Sequence, residues 1–406
     1  MRKIVLASEG SNGDLLPILA IGQRLMKSGN QITICAPPNN EKFVKSLGFE
    51  FIPIGIDFQA LLTEHADKIM GKNPIRIMRL TISILKEQVQ RHIKDLIRVT
   101  KDADMLIASG LIYAAKSVAE YRQIPFKLSI AIPQVLPSNE YAPLLVNSLN
   151  NPPWLNRFLW WGEGVFQNRI LLNTLNEERR KLALQPIKDI RFHLLNDLII
   201  PADPLLQKVK TYPQYNYMQT GYWHLEEAEI EPSVCEFIEK GSPPIFIGFG
   251  SSTDPNSLQT KAMLNEVIQK SGHRFIISKG WADLGVGLEN ENVKIIDFAP
   301  YLKMFPKMVA VIHHGGAGTT HCAARSGVPQ IIVPHAMDQY RWGDTIVKKK
   351  LGSSPIPRSK LTAEKLLQAI EQVTTDETIK RESKRVGELM QREDGIEQFL
   401  EGISFK

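Results

Sequence analysis

Three glycine-rich runs hold the residues best suited to chemistry. Two lie in the second half of the chain: Gly248-Phe249-Gly250-Ser251-Ser252-Thr253, and His313-His314-Gly315-Gly316-Ala317-Gly318-Thr319-Thr320, which opens a helix running to Ser326. Each follows an apolar run and offers backbone N–H groups and hydroxyls at a helix start, where the dipole favours an anion. Phosphate is the natural ligand. The third run, Ser8 to Asp14, follows Ile4-Val5-Leu6-Ala7 and leads into a helix marked by Leu15, Ile18, Leu19, Leu25 and Met26 and ending at Gly29. Taken alone, Asp14 reads as a cap of that helix; a positioned general base is the other reading.

Charge agrees with an anion site. The window from Phe298 to Ala363 holds nine Lys plus Arg against Asp338 and Asp344, with no Glu, so it carries +7 while the whole chain carries +6. Lys348, Lys349 and Lys350 read as a solvated helix face within it. Neither second-half loop is a GxxxxGK[ST] P-loop, and neither gives a GxGxxG turn with an acidic residue about 20 positions on, which sets aside kinase and hydride-transfer chemistry. His313, His314, His321 and His335 lack HExxH or ligand spacing, so no metal is expected.

The elements that must position these loops form an α/β alternation of parallel βαβ type. Strands are expected at Gln31–Cys35, Glu50–Ile52, Asp104–Ala108, Phe126–Ala131, Ile245–Phe249, His273–Ser278, Val293–Asp297, Val309–His313 and Gln330–Val333, with a long basic helix from about Ile75 to Thr100. At 406 residues two domains are expected. The first domain covers 1–221 and is completed by a C-terminal helix over 376–406. A linker with a docking helix follows at 222–243, then a second domain at 244–375. With 43% hydrophobic and 23% charged residues the composition is that of a globular protein, with no block of like charge to suggest nucleic acid. Cys35, Cys235 and Cys322 form no framework, and the apolar start ends at Ala7, too short for a signal peptide; a cytoplasmic location follows.

Residues 298–344, FAPYLKMFPKMVAVIHHGGAGTTHCAARSGVPQIIVPHAMDQYRWGD, strongly resemble the donor-binding signature of family 1 glycosyltransferases, inverting nucleotide-sugar enzymes of the GT-B fold. HHGGAGTT, Ser278-Lys279-Gly280-Trp281, DQ followed by Trp342-Gly343-Asp344, and Ile356-Pro357-Arg358 are closest to the sterol 3-beta-glucosyltransferases and glycopeptide-aglycone glucosyltransferases. The first loop, Gly10-Ser11-Asn12-Gly13-Asp14 with Pro17, is similar to theirs as well. The resemblance implies two doubly wound, Rossmann-like domains facing across a cleft. It implies that His314 and the backbone of Gly316, Gly318 and Thr319 hold the diphosphate, helped by Ser251. By position Phe298 stacks on uracil, and Asp338 and Gln339 bind the sugar hydroxyls. Plant members have a ribose-binding glutamate where this chain has Cys322, and many members have a histidine where Asp14 stands. Retaining GT-B enzymes carry two glutamates in the donor region, which has none here between 298 and 363.

On the acceptor side, Trp154, Phe158 and Trp161 share one helical face beside Trp160. Three readings stand: core, an aromatic wall for a flat apolar acceptor, or a foot on a membrane surface aided by Lys86, Arg91, Lys94, Arg98 and Lys101. The function expected is inverting transfer of glucose from UDP-glucose to a hydroxyl of a lipophilic acceptor such as a sterol, polyketide or flavonoid, with Asp14 as base and without cofactor or metal. The rivals are a UDP-sugar 2-epimerase of the same fold and a non-catalytic sugar-nucleotide-binding protein.

Overall fold

The computed structural model describes residues 1–56, 74–110, 112–146, 148–210, 212–250, 257–280 and 283–403. Two parallel sheets organise them. The first has seven strands, β1 (Lys3–Glu9), β2 (Gln31–Ala36), β3 (Glu50–Pro53), β4 (Met105–Gly110), β5 (Phe126–Ser129), β6 (Leu198–Pro201) and β7 (Tyr217–Thr220), in the order β3-β2-β1-β4-β5-β6-β7. The second has β8 (Ile245–Gly248), β9 (Phe275–Ser278), β10 (Val293–Ile296), β11 (Ala310–His313) and β12 (Gln330–Ile332), in the order β10-β9-β8-β11-β12. The central strands are apolar on both faces, as parallel strands sandwiched between helices must be, and Ile4, Leu6, Ile245, Ile247 and Ile312 are all buried.

Strand order reverses between β1 and β4 in the first sheet and between β8 and β11 in the second. Crevices open at the carboxyl ends of strands at such switch points. The loops after β1, β8 and β11 are the three glycine-rich runs, so topology gathers what the sequence spaces far apart.

Two strands, β6 and β7, were not anticipated. β6 carries an apolar run, Leu198-Ile199-Ile200, no shorter than those recognised and was passed over, while β7, Tyr217-Met218-Gln219-Thr220, mixes polar and apolar residues and gives no strand signal. The aromatic stripe belongs to a longer element than expected: the chain stays helical from Pro153 through a π turn at Asn168–Leu172 to Lys181. The C-terminal segment is also two helices and not one. Glu377–Met390 packs on the helix Ala317–Arg325 of the second unit, while Gly395–Gly402 crosses to β7 and to the helix Asn12–Lys27. The break comes at Asp394, whose Oδ1 caps the second helix by accepting from the N–H groups of Ile396 and Glu397, each at 3.0 Å. Trp223 anchors the crossing, donating to the Gly395 carbonyl at 3.1 Å and packing on Phe399.

Candidate active site

In the first unit, Glu9 ends β1 and is held by the His92 imidazole and the Gln88 amide, each at 2.6 Å. Gly10 follows with φ +146°, and a Cβ there would collide with the Asp14 carboxylate. The N-cap of the next helix is Ser11, not Asp14. Asp14 is the third residue of a capping box, with its Oδ2 accepting from the Ser11 N–H at 3.0 Å while Ser11 Oγ accepts from the Gly13 N–H at 3.1 Å. Among the described residues Oδ1 has no hydrogen-bond partner. Burial pushes the Asp14 carboxyl up to about 6 against two hydrogen bonds from Ser11 that oppose it. Ser109 at the end of β4 donates to the Asp14 carbonyl at 2.9 Å and so ties the two switch-point strands together.

In the second unit the His314 ring lies between two glycines. A Cβ on Gly250 would stand 3.2 Å from its Cε1, and one on Gly316 would stand 2.5 Å from its Nε2, so the ring fits only where both side chains are absent. Burial, then the nearby His335, lowers the His314 pKa to about 4, which makes it a neutral donor. His313 is a brace for the loop. Its Nδ1 accepts from the Gly315 N–H at 3.1 Å, which assigns the proton to Nε2, 2.9 Å from Gln330 Oε1. The helix Ala317–Arg325 starts at Gly316 with no side-chain cap, and its first bonded N–H is that of Thr320, to the Gly316 carbonyl. The N–H groups of Ala317, Gly318 and Thr319 therefore have no partner within the helix and suit an anion.

After β12, Met337 adopts the left-handed conformation at φ +53°, strain of the kind found at functional sites. Asp338 follows, with Oδ2 accepting from the buried Trp342 indole at 3.1 Å and its carboxyl raised to about 6 by burial. The Gln339 carbonyl oxygen accepts from the N–H groups of His335 (2.7 Å) and Ala336 (3.1 Å), which leaves its amide NH₂ to donate. An acceptor and a donor stand side by side, as vicinal hydroxyls require. The negative charge of Asp14 also contributes to raising the Asp338 pKa, so the two carboxyl groups lie within electrostatic reach of each other.

The remaining expectations fall as follows. Phe298, just past β10, is 60% exposed, an aromatic face free to stack. Cys322 is a buried thiol 3.6 Å from His224 Nδ1. Ser251 and Trp281 lie outside the described residues. Trp154, Phe158 and Trp161 are 62%, 58% and 63% exposed, which removes the core reading of the stripe; only Trp160 turns inward, donating to the Tyr141 carbonyl at 2.8 Å. Four cations of the basic window are engaged away from the phosphate loop. Arg341 reaches the Ala142 carbonyl, Arg325 the carbonyls of the 390–393 turn, Lys303 pairs with Glu229 and Lys348 with Asp344. Arg341 braces the two units and the other three hold the second unit and the span together, so these four are engaged away from an anion. Among the described residues no cluster of His, Cys, Asp and Glu fits a metal ion, and no helix is long and apolar enough to cross a membrane.

What sequence reading missed is the span after β7. Tyr222 and His224 run beside the helix Ala317–Arg325, where Tyr222 stacks on His321 with centroids 4.7 Å apart. Glu227 accepts from the Leu302 N–H at 2.8 Å, and burial lifts its carboxyl to about 7. His321 in turn accepts at Nε2 from the Asp203 N–H of the first unit at 3.0 Å. The aromatic triplet Tyr222-Trp223-His224, out of place in a linker, was the available signal.

Residues 4–138 match the glycosyltransferase family 28 N-terminal domain, and residues 278–394 match the C-terminal domain described as erythromycin biosynthesis protein CIII-like. Glycosyltransferase GtfE of Amycolatopsis orientalis is 30% identical over 359 residues, 86% of this chain and 85% of that one. The vancomycin aglycone glucosyltransferase of the same organism is 29% identical over 97% of this chain and 95% of its own. An Arabidopsis thaliana sterol 3-beta-glucosyltransferase, UGT80B1, is 29% identical over 97% of this chain and 66% of its own. Among solved structures, the kitacinnamycin glycotransferase superposes with a TM-score of 0.73 at 16% identity over 99% of this chain and 98% of its own. VinC in complex with dTDP gives 0.67 at 15% identity, covering 98% of each chain. With two doubly wound sheets, each with its own switch point, and relatives matched along almost its whole length, the chain belongs to the GT-B glycosyltransferases that include the glycopeptide-aglycone and sterol glucosyltransferases.

Proposed function

We propose that this glycosyltransferase moves glucose from UDP-glucose to a hydroxyl of a lipophilic acceptor such as a sterol, polyketide or flavonoid, with inversion at the anomeric carbon. The observation that carries the reading is the uncapped helix start at Gly316, with Gln339 packed against Gly315 beside it. The diphosphate takes the N–H groups of Gly316, Gly318 and Thr319 and the neutral His314, with Ser251 assisting. Uracil stacks on Phe298, and Asp338 and Gln339 hold the sugar hydroxyls. The acceptor oxygen attacks the anomeric carbon while its proton passes to Asp14, whose raised pKa suits a base working near neutrality. Preorganised N–H donors meet the charge that grows on the leaving diphosphate, so the reading needs no metal.

Relatives named for aglycone and sterol acceptors support the lipophilic class. Trp154, Phe158 and Trp161 form the acceptor wall, and the same exposed face rests on the cytoplasmic surface of a membrane when the acceptor is drawn from one. The direct test is a mass-spectrometric screen of UDP-glucose, UDP-galactose, UDP-GlcNAc and dTDP-glucose against a panel of hydroxylated lipophiles. A glucoside formed from UDP-glucose is the expected product. Preference for another donor overturns the sugar or base assignment, and turnover confined to hydrophilic acceptors overturns the acceptor class.

A further inference from the structure

Tyr222 leaves β7 for the span between the units, yet it is only 7% exposed. Its ring is stacked on His321, with an interplanar angle of 21°, and tilts against His224 at 5.0 Å. Its hydroxyl points at Gly318: a Cβ on that glycine would stand 2.8 Å from the Tyr222 oxygen, which is why the helix carries glycine there. Side chains of a helix tilt toward its N-terminus. The space taken by the phenol oxygen is therefore the space beside the open N–H groups of the anion-binding turn.

Among the described residues this hydroxyl has no hydrogen-bond partner. The ring is enclosed by His321 and His224, which leaves the hydroxyl as the group free to meet a ligand at the helix start. Burial, then the nearby Cys322 and Asp14, pushes its pKa well above the usual tyrosine value, so it is an O–H donor at every working pH. The uncapped helix start lies beside it, and Asp14 is within electrostatic reach.

We propose that Tyr222 donates its hydroxyl to the diphosphate of the sugar nucleotide, which makes the inter-unit span a third wall of the donor site. This rests on the reading that the diphosphate sits at the Gly316–Thr319 turn. In the transfer, the bond from the anomeric carbon to the β-phosphate oxygen breaks and its electron pair stays on that oxygen. The acceptor oxygen bonds the same carbon and gives its proton to Asp14. Tyr222 keeps its proton throughout, and its hydrogen bond strengthens as charge collects on the leaving diphosphate.

Tyr222→Phe removes the hydroxyl and keeps the ring on His321. Calorimetry with UDP and dTDP, ligand-observed NMR with uridine, and kcat are compared for wild type, Tyr222→Phe and His314→Ala, with thermal melts to establish folding. The expected result is a loss of about tenfold or more in diphosphate affinity, a lower kcat and unchanged uridine binding. Gly318→Ala, whose methyl displaces the hydroxyl, should lose less affinity in the Tyr222→Phe background than in wild type. If His314→Ala weakens UDP while folded Tyr222→Phe binds and turns over like wild type, the tyrosine assignment falls alone. An equal loss for uridine makes Tyr222 a packing residue and also overturns it. If neither variant changes UDP affinity, the donor-site reading beneath it falls as well.

Discussion

The donor side and the acceptor side of this molecule are built on opposite principles. The donor side is backbone and buried rings: His314 clasped by two glycines, His313 holding the Gly315 N–H, Gln339 tied to the 335–336 backbone and Asp338 bonded to a fully buried indole. The acceptor side is an outward helical face of Trp154, Phe158 and Trp161 with no partner across it among the described residues. Recognition by backbone N–H groups forces specific residue types at fixed spacing, because a single Cβ fills the space that the ligand or the ring needs. A wall for an apolar acceptor asks only for apolar area, which many residues supply.

Asp14 sits where the two sides meet, and the largest effect is expected there. Asp14→Asn keeps a side-chain oxygen for the Ser11 N–H, so the capping box and the stability largely persist. Removal of the base should lower kcat at least about 100-fold with UDP affinity intact. Activity within a few-fold of wild type would restrict Asp14 to its capping role. The same group sets an acid limb. With its carboxyl near 6, kcat/KM should fall about tenfold per pH unit below about pH 6 as the base protonates, and should level off above it. Because Asp338 also lies near 6, a limb steeper than one proton reports the pair titrating together. A rate flat from pH 7 to 4.5 rules out both as essential carboxylates.

Much of this was legible in the residues. The nine strands named and the run Ile4–Ala7 are present within a few residues, and both loops singled out for phosphate lie at the switch point of the second sheet, with the Asp14 loop at that of the first. Three features were not legible, for different physical reasons. Strand β7 mixes polar and apolar residues at the sheet edge, and the apolar run of β6 beside it has, among the described residues, no following helix of the βαβ kind that marks most of the others. The break at Asp394 falls inside a charged stretch whose helical pattern continues on both sides of a cap. The contribution of Tyr222, His224 and Glu227 is tertiary, since nothing in the span from 222 to 227 says that it will lie along a helix nearly 100 residues further on. Charge misled in one respect. The basic window marks a region without competing carboxylates, but Lys303, Arg325, Arg341 and Lys348 within it are engaged by carbonyls and carboxylates elsewhere.

The next largest effects divide the donor side internally. His314→Ala should cost about 10- to 150-fold in UDP affinity, since a hydrogen bond to an anionic phosphate contributes about 1.5–3 kcal/mol. Asp338→Ala should leave UDP affinity unchanged and weaken only intact UDP-glucose. Calorimetry with both ligands separates them: equal losses for UDP and UDP-glucose in Asp338→Ala take that residue out of the sugar pocket, and unchanged UDP affinity in His314→Ala takes the diphosphate away from the second loop.

The smallest effects belong to the acceptor face, and they decide how different the two sides are. Trp161 is exposed, so Trp161→Ala should barely move the melting temperature, in line with surface substitutions generally. Trp160, one residue away, is buried and hydrogen-bonded to the Tyr141 carbonyl, so Trp160→Ala should destabilise by about 3 kcal/mol or more. As an acceptor wall, Trp161 contributes apolar contact: its removal should raise the acceptor KM a few-fold to about tenfold, with kcat and UDP affinity unchanged. As a membrane foot, it should leave KM for a detergent-dispersed acceptor untouched and instead weaken flotation with anionic vesicles, a binding that falls with salt where basic side chains assist it. Unchanged KM and unchanged flotation together would strip the stripe of both roles, and the acceptor side would have to be sought in another part of the first unit.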